Sequence, residues 1–401
     1  RGSVMYRREE VLSYCQEEDV SFIRLVFCDL AGRQKNISIL PSELERAFEY
    51  GISFDASAID GFTDEVKSDL FLIPDPSTLS VVPWRSVQDR VVMMFCNIYH
   101  PDGTPFCRDS RMLLKKAVEF AKERGVSCSF GSEFEFYLFE TDENGYPTRT
   151  PLDRAGYMDS TPEDRGENVR RNICLTLSEM GIQPESSHHE EGPGQNEIDF
   201  RYGDTLTAAD NAVIFKSVAQ NIAMQDGLYA DFSPKPLARE SGNGLHINVS
   251  VKSSQEKNVQ DPFIEGVLRS MREITAYLNT MPQSYLRLGE KKAPRYITWS
   301  SENRSQLIRI PAAKGAYRRF ELRSPDPMTN PYLAYALILY AGMEGVQNNY
   351  RLRKPLDENL FKAAPAVTSR LDVLPATLEE ARLCAAQSEL IKRYMPEILI
   401  G

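Results

Sequence analysis

The chain has 401 residues but no long apolar run. Its longest apolar-looking stretch, around Tyr332–Met343, covers 12 residues, whereas a membrane-spanning helix needs about 20. The segment RGSVMYRREE at its start holds no apolar core, so a secretory signal is not expected there. The cysteines include no CxxC pair. There are 7, an odd number, and they stand singly, which argues against a disulfide scaffold and for a reducing cytoplasm. Positive charge is not in excess: 57 acidic residues outnumber 47 basic ones, for a net charge of −10. That argues against a sequence-independent nucleic-acid surface and still allows a locally basic pocket for an anionic ligand. No GxxxxGK[ST] occurs, so the chain is not a P-loop enzyme. HHEE at 188–191 is not HExxH, so it is not that type of zinc protease either. Repeats and disorder signatures are missing as well. What remains is an ordinary globular composition, 42% hydrophobic and 26% charged, long enough for a large core and two domains.

The first hundred residues read as short strands and turns. FIRLVFCDL (22–30), KNISILP (35–41), SVVPW (80–84) and RVVMMFCNIY (90–99) are strand-like. SELERAFEYG (42–51) predicts a short helix with Ser42 as N-cap and Gly51 as its stop. HPDGTPF (100–106) is a turn cluster and the expected domain boundary, dividing 1–103 from 104–401. Beyond it, helices are expected at 109–125, 166–181 and 207–227. Asn330-Pro331 opens another, with Asn as N-cap and Pro in the first turn. TLEE (377–380) is a capping box. Strand-like segments lie between them: SCSFGSEFEFYLFE, NEIDFRY, LHINVSV, QLIRIP and YRRFELRS. The fold class is α+β, with helices around an antiparallel sheet.

The chemistry concentrates in those strands. In FGSEFEFYLF, Glu133 and Glu135 share one face of a strand and Phe134 and Phe136 the other. Two carboxylates so close need a cation or a proton; solvated glutamates on an exposed face are the plain alternative. In YRRFELRS, Arg319, Glu321 and Arg323 share a face. They form either a structural ion network or a metal ligand beside two anion-binding groups. NRSQLIRIP adds Arg304 and Arg309, and arginine forks suit phosphate and carboxylate. SGNGLHINVS sets glycines, which permit close backbone approach, before His246; a lone histidine is more often a hydrogen-bonded core residue than a ligand. SHHEEGPGQNEIDF (187–200) crowds two histidines and three glutamates together, which suggests a metal.

Taken in order, FDASAIDGF (54–62), FGSEFEFYLF (130–139), HHEEGPGQNE (188–197), PKPLARESGNGLH (234–246), NRSQLIRIP (303–311) and RRFELRSPDPMTNPYLAYA (318–336) resemble glutamine synthetase over nearly the whole chain. Six collinear motifs are far more specific than any one. The resemblance implies an N-terminal β-grasp domain, a C-terminal catalytic domain and a homo-oligomeric double hexameric ring with sites between neighbouring subunits. It implies ATP and two or three Mg²⁺ or Mn²⁺ ions. One metal would be held by Glu135, Glu190 and Glu197, another by Glu133, Glu321 and His246. Arg304 and Arg319 would sit at the phosphates. Arg287 and Arg323 would grip the amino-acid substrate, with Gly242 beside it. Glu185, Tyr202, Ser250 and Arg309 would line the nucleotide. Asp55 would take a proton from ammonium across a subunit boundary, with Tyr157 and Glu190 as further walls of that pocket. In this family glutamate, ATP and ammonia give glutamine through an acyl phosphate.

The departures gather at the amine end. Ser241 and Asn248 replace an asparagine and a histidine of the family pattern, and Ala58 replaces a serine. The flap RLGEKKAP is one residue short, with Lys292 where a glutamate is usual and Glu290 two residues away. A lysine there repels a cation. His188 and His189 are not expected as ligands, and Glu191 is expected as a solvated turn residue. Three readings stay open: a glutamine-forming enzyme, a γ-glutamyl ligase for an organic amine or polyamine, and a non-catalytic ring-forming relative. The six metal ligands argue against the last.

Overall fold

The computed structural model describes residues 6–62, 68–83, 87–255, 257–313, 315 and 318–399. Trp84, at the end of the strand expected over 80–84, and Tyr317, at the start of YRRFELRS, lie outside them.

Six strands form the smaller sheet: β1 (Phe22–Cys28), β2 (Gln34–Ile39), β3 (Ile52–Asp55), β4 (Asp69–Pro74), β5 (Ser80–Val81) and β6 (Val91–Tyr99). Their order is β2-β1-β6-β4-β3, with β5 also paired to β6. β1 runs parallel to β6, and the other pairs are antiparallel. β6 explains its own continuous apolar run, because both of its faces are covered. Val92, Met94, Cys96 and Ile98 enter the N-terminal core, while Val91, Met93 and Phe95 enter the larger core behind it. The helix Leu44–Tyr50 closes the N-terminal core with Leu44, Ala47 and Phe48. Its start corrects the expectation for Ser42. Pro41 opens a 3₁₀ turn over Pro41–Glu43, so Ser42 sits inside that turn and caps nothing. Gly51 does end the helix, at φ +79.

The larger sheet has ten strands: β7 (Val126–Thr141), β8 (Pro147–Pro151), β9 (Pro184–His189), β10 (Gln195–Phe200), β11 (Gly203–Asp204), β12 (Leu228–Asp231), β13 (Leu245–Ser253), β14 (Trp299–Ser300), β15 (Ile308–Arg309) and β16 (Phe320–Leu322). The main path is β14-β15-β16-β13-β7-β10-β9, with β8, β11 and β12 also paired to β7. Its back face is apolar. Phe130, Phe134 and Phe136 of β7 are fully buried. Phe134 meets Phe215 of the helix Thr205–Gln225 at 4.9 Å, and Phe130 stacks on Tyr335 of the helix Pro331–Gln347 at 4.4 Å. Contacts of this kind, multiplied over the core, hold the sheet rigid for its other face.

The helix starts follow their caps. Asp109, Asp204, Asn330 and Thr377 each accept a backbone N–H of the first turn of the helices that follow. The box at Thr377 is shifted by one residue, since Glu380 reaches back to the amide of Ala376. The helices Arg8–Glu17 and Gln260–Leu278 are additions to the sequence reading. A buried ion network ties the smaller sheet to the helices that pack behind the larger one. Arg111 donates to Asp210 through two nitrogens, to Asn97 on β6 and to Asp75 just after β4, each at 3.0 Å. All seven cysteines are free. Among the described residues no helix is long and apolar enough to cross a membrane.

Candidate active site

Strand alternation gathers the polar residues on the front face of the larger sheet. Glu133 and Glu135 lie two apart on β7 and so point the same way. The antiparallel register puts Glu197 of β10 opposite Glu135, and Asp199 opposite Glu133. On the other flank His246 of β13 is opposite Glu133, Asn248 is opposite Glu321 of β16, and Arg309 of β15 is opposite Glu321. The intervening residues Phe134, Ile198, Leu245 and Phe320 are buried in the core behind.

Two clusters of donor atoms share no member, and a third group, His188, Glu197 and Asp199, overlaps the second of them. Glu133, His246 and Glu321 form one; Glu135, Glu190 and Glu197 form the other. Within each, one oxygen or imidazole nitrogen per residue lies within 4.8 Å of the rest. The membership of both matches the two ligand sets expected from the resemblance. The electrostatics differ between them. Burial would raise the Glu321 carboxyl, but Arg323, His246 and Arg309 outweigh it and hold it at about 2. Arg323 donates to Glu321 at 2.7 Å and Arg309 at 2.9 Å. In the other cluster burial and then Glu190 push Glu135 up to about 8, and burial and then Asp199 raise Glu197. Ionised carboxylates are costly there without a cation. Oxygen donors with a single imidazole suit Mg²⁺ or Mn²⁺, so the donor sets fit two divalent ions.

Both clusters line one cavity of ≈ 210 Å³, together with Tyr157, Gly242, Arg287, Arg304, Arg309 and Arg323. Arg287 is fixed by donating to the carbonyls of Ser324 (2.6 Å) and Arg323 (3.1 Å). Only glycine lets the neighbouring loop pass it: a Cβ on Gly242 would lie 2.4 Å from the Pro234 oxygen and 2.8 Å from Arg287 Cγ. Glu185, Tyr202, Ser250 and Arg319 are not part of that cavity lining. Ser250 shares the front face four residues beyond His246, opposite Ser129 of β7. The Tyr202 ring covers Gly131, and the Arg319 guanidinium lies 5.9 Å from that ring. The Tyr202 hydroxyl and Arg319 Nε are buried without a hydrogen-bond partner in the chain. Such unpartnered polar atoms, along the strand from the acid clusters, fit a polar nucleotide. Asp55 stands apart, at the exposed end of β3. Its Oδ1 accepts from the hydroxyls of Ser57 and Ser68, both at 2.6 Å, which lowers its pKa.

Three residues carry more than the sequence reading gave them. Asp199 faces the clusters, and burial and then Glu133 push it up to about 7. The alternation that singled out Glu133 and Glu135 also holds for Glu197-Ile198-Asp199, so its signal was present. His188 bonds Glu197 through Nε2 at 2.8 Å. Glu191 is paired rather than merely solvated: Lys292 Nζ lies 2.8 Å from its Oε1, and Ser241 Oγ donates to it at 3.3 Å. Asn248 donates to Glu133 at 3.1 Å, and Glu290 lines the cavity. His189 is a buried structural residue, bonded to Asp153 at 2.8 Å.

Comparison with known proteins decides the family. Residues 19–101 match the glutamine synthetase β-grasp domain and residues 107–401 the glutamine synthetase catalytic domain. The chain belongs to the glutamine synthetase family. It is 43% identical to a glutamine synthetase of Clostridium saccharobutylicum, over 99% of this chain and 93% of that one. With that of Methanosarcina mazei the identity is 44%, over 97% and 91%. Among solved structures, a GmaS/ADP complex superposes with a TM-score of 0.87 at 27% identity, covering 97% of this chain and 92% of that one. A Plasmodium falciparum glutamine synthetase, 22% identical, shares the fold at a TM-score of 0.85 over 99% and 96%. The protein is therefore an enzyme, an ATP-dependent ligase of a family that depends on divalent metal, binds small-molecule substrates and is oligomeric.

Proposed function

We propose that this glutamine synthetase relative joins an amine to the γ-carboxylate of glutamate, with ammonia giving glutamine, ADP and phosphate. The observation that carries the reading is two carboxylate clusters sharing one cavity with Arg304, Arg309 and Arg323. A γ-carboxylate oxygen attacks the γ-phosphorus of ATP and ADP leaves. The amine nitrogen then attacks the acyl carbon, phosphate leaves, and Asp55 takes the amine's surplus proton. Divalent ions, held by Glu133, His246 and Glu321 and by Glu135, Glu190 and Glu197, supply neutralising charge where two anions must meet. Arg304 and Arg319 bind phosphate oxygens, and Arg309 lies on the nucleotide side. Glu185, Tyr202 and Ser250 contact the nucleoside. Arg287, Arg323 and Gly242 shape the glutamate position, and Tyr157 walls the amine position.

A second reading, a γ-glutamyl ligase for a larger organic amine, is favoured by the alanine at position 58, by the short flap and by Lys292. We place the domain boundary near residue 103, Asp55 in the site of a neighbouring subunit, and the ring in the cytoplasm, which the seven free cysteines support. The test is ATP, Mg²⁺ and glutamate with a panel of amines that includes ammonia, read as phosphate release and as product mass. Glutamine formed from ammonia supports the first reading. Product with organic amines alone selects the second, and no turnover with any amine refutes both.

A further inference from the structure

Glu191 and Lys292 come from separate motifs, and neither takes part in the proposed phosphate transfer. They meet at the lip of the cavity, and both line it. Lys292 Nζ sits 2.8 Å from Glu191 Oε1 and 5.2 Å from the centre of the Tyr157 ring. The same Glu191 accepts from Ser241 Oγ at 3.3 Å, and its own backbone N–H donates to Glu190 Oε2 at 3.0 Å. Tyr157 in turn stands edge-on to His188, with 5.6 Å between ring centres. Four chain segments, around residues 157, 188–191, 241 and 292, thus converge on one tethered ammonium group.

An aromatic face with a carboxylate beside it is a binding site for a small cation. Here the cation in it belongs to the chain. A surface ion pair is worth little for stability, so the arrangement gains its meaning from where it sits. Tyr157 and Glu190 are the walls assigned above to the amine position, and the inference rests on that assignment.

We propose that Lys292, held by Glu191 over Tyr157, is a specificity-determining residue that occupies the cation position of the amine pocket and so weakens use of free ammonium. Ammonium approaching Tyr157 meets a like charge, and Glu191 is already neutralised. An acceptor must therefore either displace the lysine or enter beside it, which favours an amine larger than ammonia.

The experiment compares the full-length enzyme with Lys292→Met and Lys292→Glu in glutamate- and ATP-dependent phosphate release, with ammonium chloride and methylamine as acceptors. Removing the like charge should lower the KM for ammonium at least about threefold in Lys292→Met, and further in Lys292→Glu. The KM values for ATP and glutamate should hold, because Lys292 meets neither phosphate nor metal ligands. Glu191→Gln, which keeps the shape and frees the lysine, should also change the ammonium KM and leave that for ATP as it was. An ammonium KM unchanged in both lysine variants overturns the proposal alone, since turnover itself would persist. Wild-type enzyme without turnover on any amine would instead remove the reading beneath it, and the proposal with it.

Discussion

At the scale of single residues, alternation along a strand was the most informative signal. Glu133 and Glu135 stand out in the sequence because two acids two apart in an aromatic strand demand a counter-charge. Register then explains why His246, Glu197 and Glu321 belong with them, and register is not written in any one segment. Asp199 obeys the same alternation, but it lies outside the HHEEGPGQNE motif that holds Glu190 and Glu197, and only its place opposite Glu133 marks it. His188 shows the converse: its bond to Glu197 exists only because β9 and β10 pair with that offset. Glu321 offers the sharpest test at this scale. Arg309 and Arg323 both donate to it, so an alanine would strand two cations, whereas glutamine keeps an acceptor in place. Glu321→Gln should reduce metal-dependent phosphate release by about a hundredfold or more, while the protein still folds, with a melting temperature lower by roughly a few degrees because the charge that Arg309 and Arg323 bond is lost. Manganese titration should lose one site. Activity and metal count both unchanged would remove Glu321 from the ligand set.

At the scale of elements, caps and spacing were both legible. The helices announced by Asn330 and Thr377 begin where those side chains bond the first turn, and the one expected from its spacing over 109–125 is capped by Asp109. The helix Gln260–Leu278 has no side-chain cap at Val259, and its signal lies in the spacing of Phe263, Val267, Met271, Ile274 and Leu278, all fully buried. Ser42 misled because a serine before a helical pattern looks like a cap, while Pro41 had already started a tighter turn. The helix Gln260–Leu278 also carries a pH-dependent clasp. Arg353 Nε and Nη2 each donate to the buried Glu265 at 2.9 Å. Burial alone would raise that carboxyl, but the Arg353 bonds overcome it and hold it below its usual 4.5. A depressed folded pKa means the stabilisation is present above the unfolded value and disappears as pH falls through the folded one. Glu265→Gln should therefore lower the melting temperature at pH 7 by roughly a few degrees. The gap between variant and wild type should narrow as pH drops below about 4.5. A gap that stays constant down to pH 3 would mean that the carboxylate charge contributes nothing.

At the scale of the whole molecule, the Arg111 network ties the smaller sheet to the helices behind the larger one, yet Asp55 and the acid clusters lie apart. Asp55 stands exposed on the smaller sheet and forms no part of the cavity holding both acid clusters. Only the family resemblance points to that division; composition and spacing do not, because assembly is a property of surfaces and symmetry. If Asp55 completes a neighbour's site, each site draws on two chains, and a defect in one domain is separable from a defect in the other. Asp55→Ala chains and Glu321→Gln chains, each nearly inactive alone, should then regain activity when co-expressed and assembled together. In a random equal mixture roughly a quarter of the sites pair an intact first domain with an intact second, so recovery towards about a quarter of wild-type turnover is expected. A site built within one chain gives a different result, because every chain then carries one lesion or the other. Co-expressed assemblies no more active than the two variants alone would return Asp55 to its own subunit or exclude it from the reaction. Purification through tags of two kinds, one per variant, ensures that the assemblies measured are mixed.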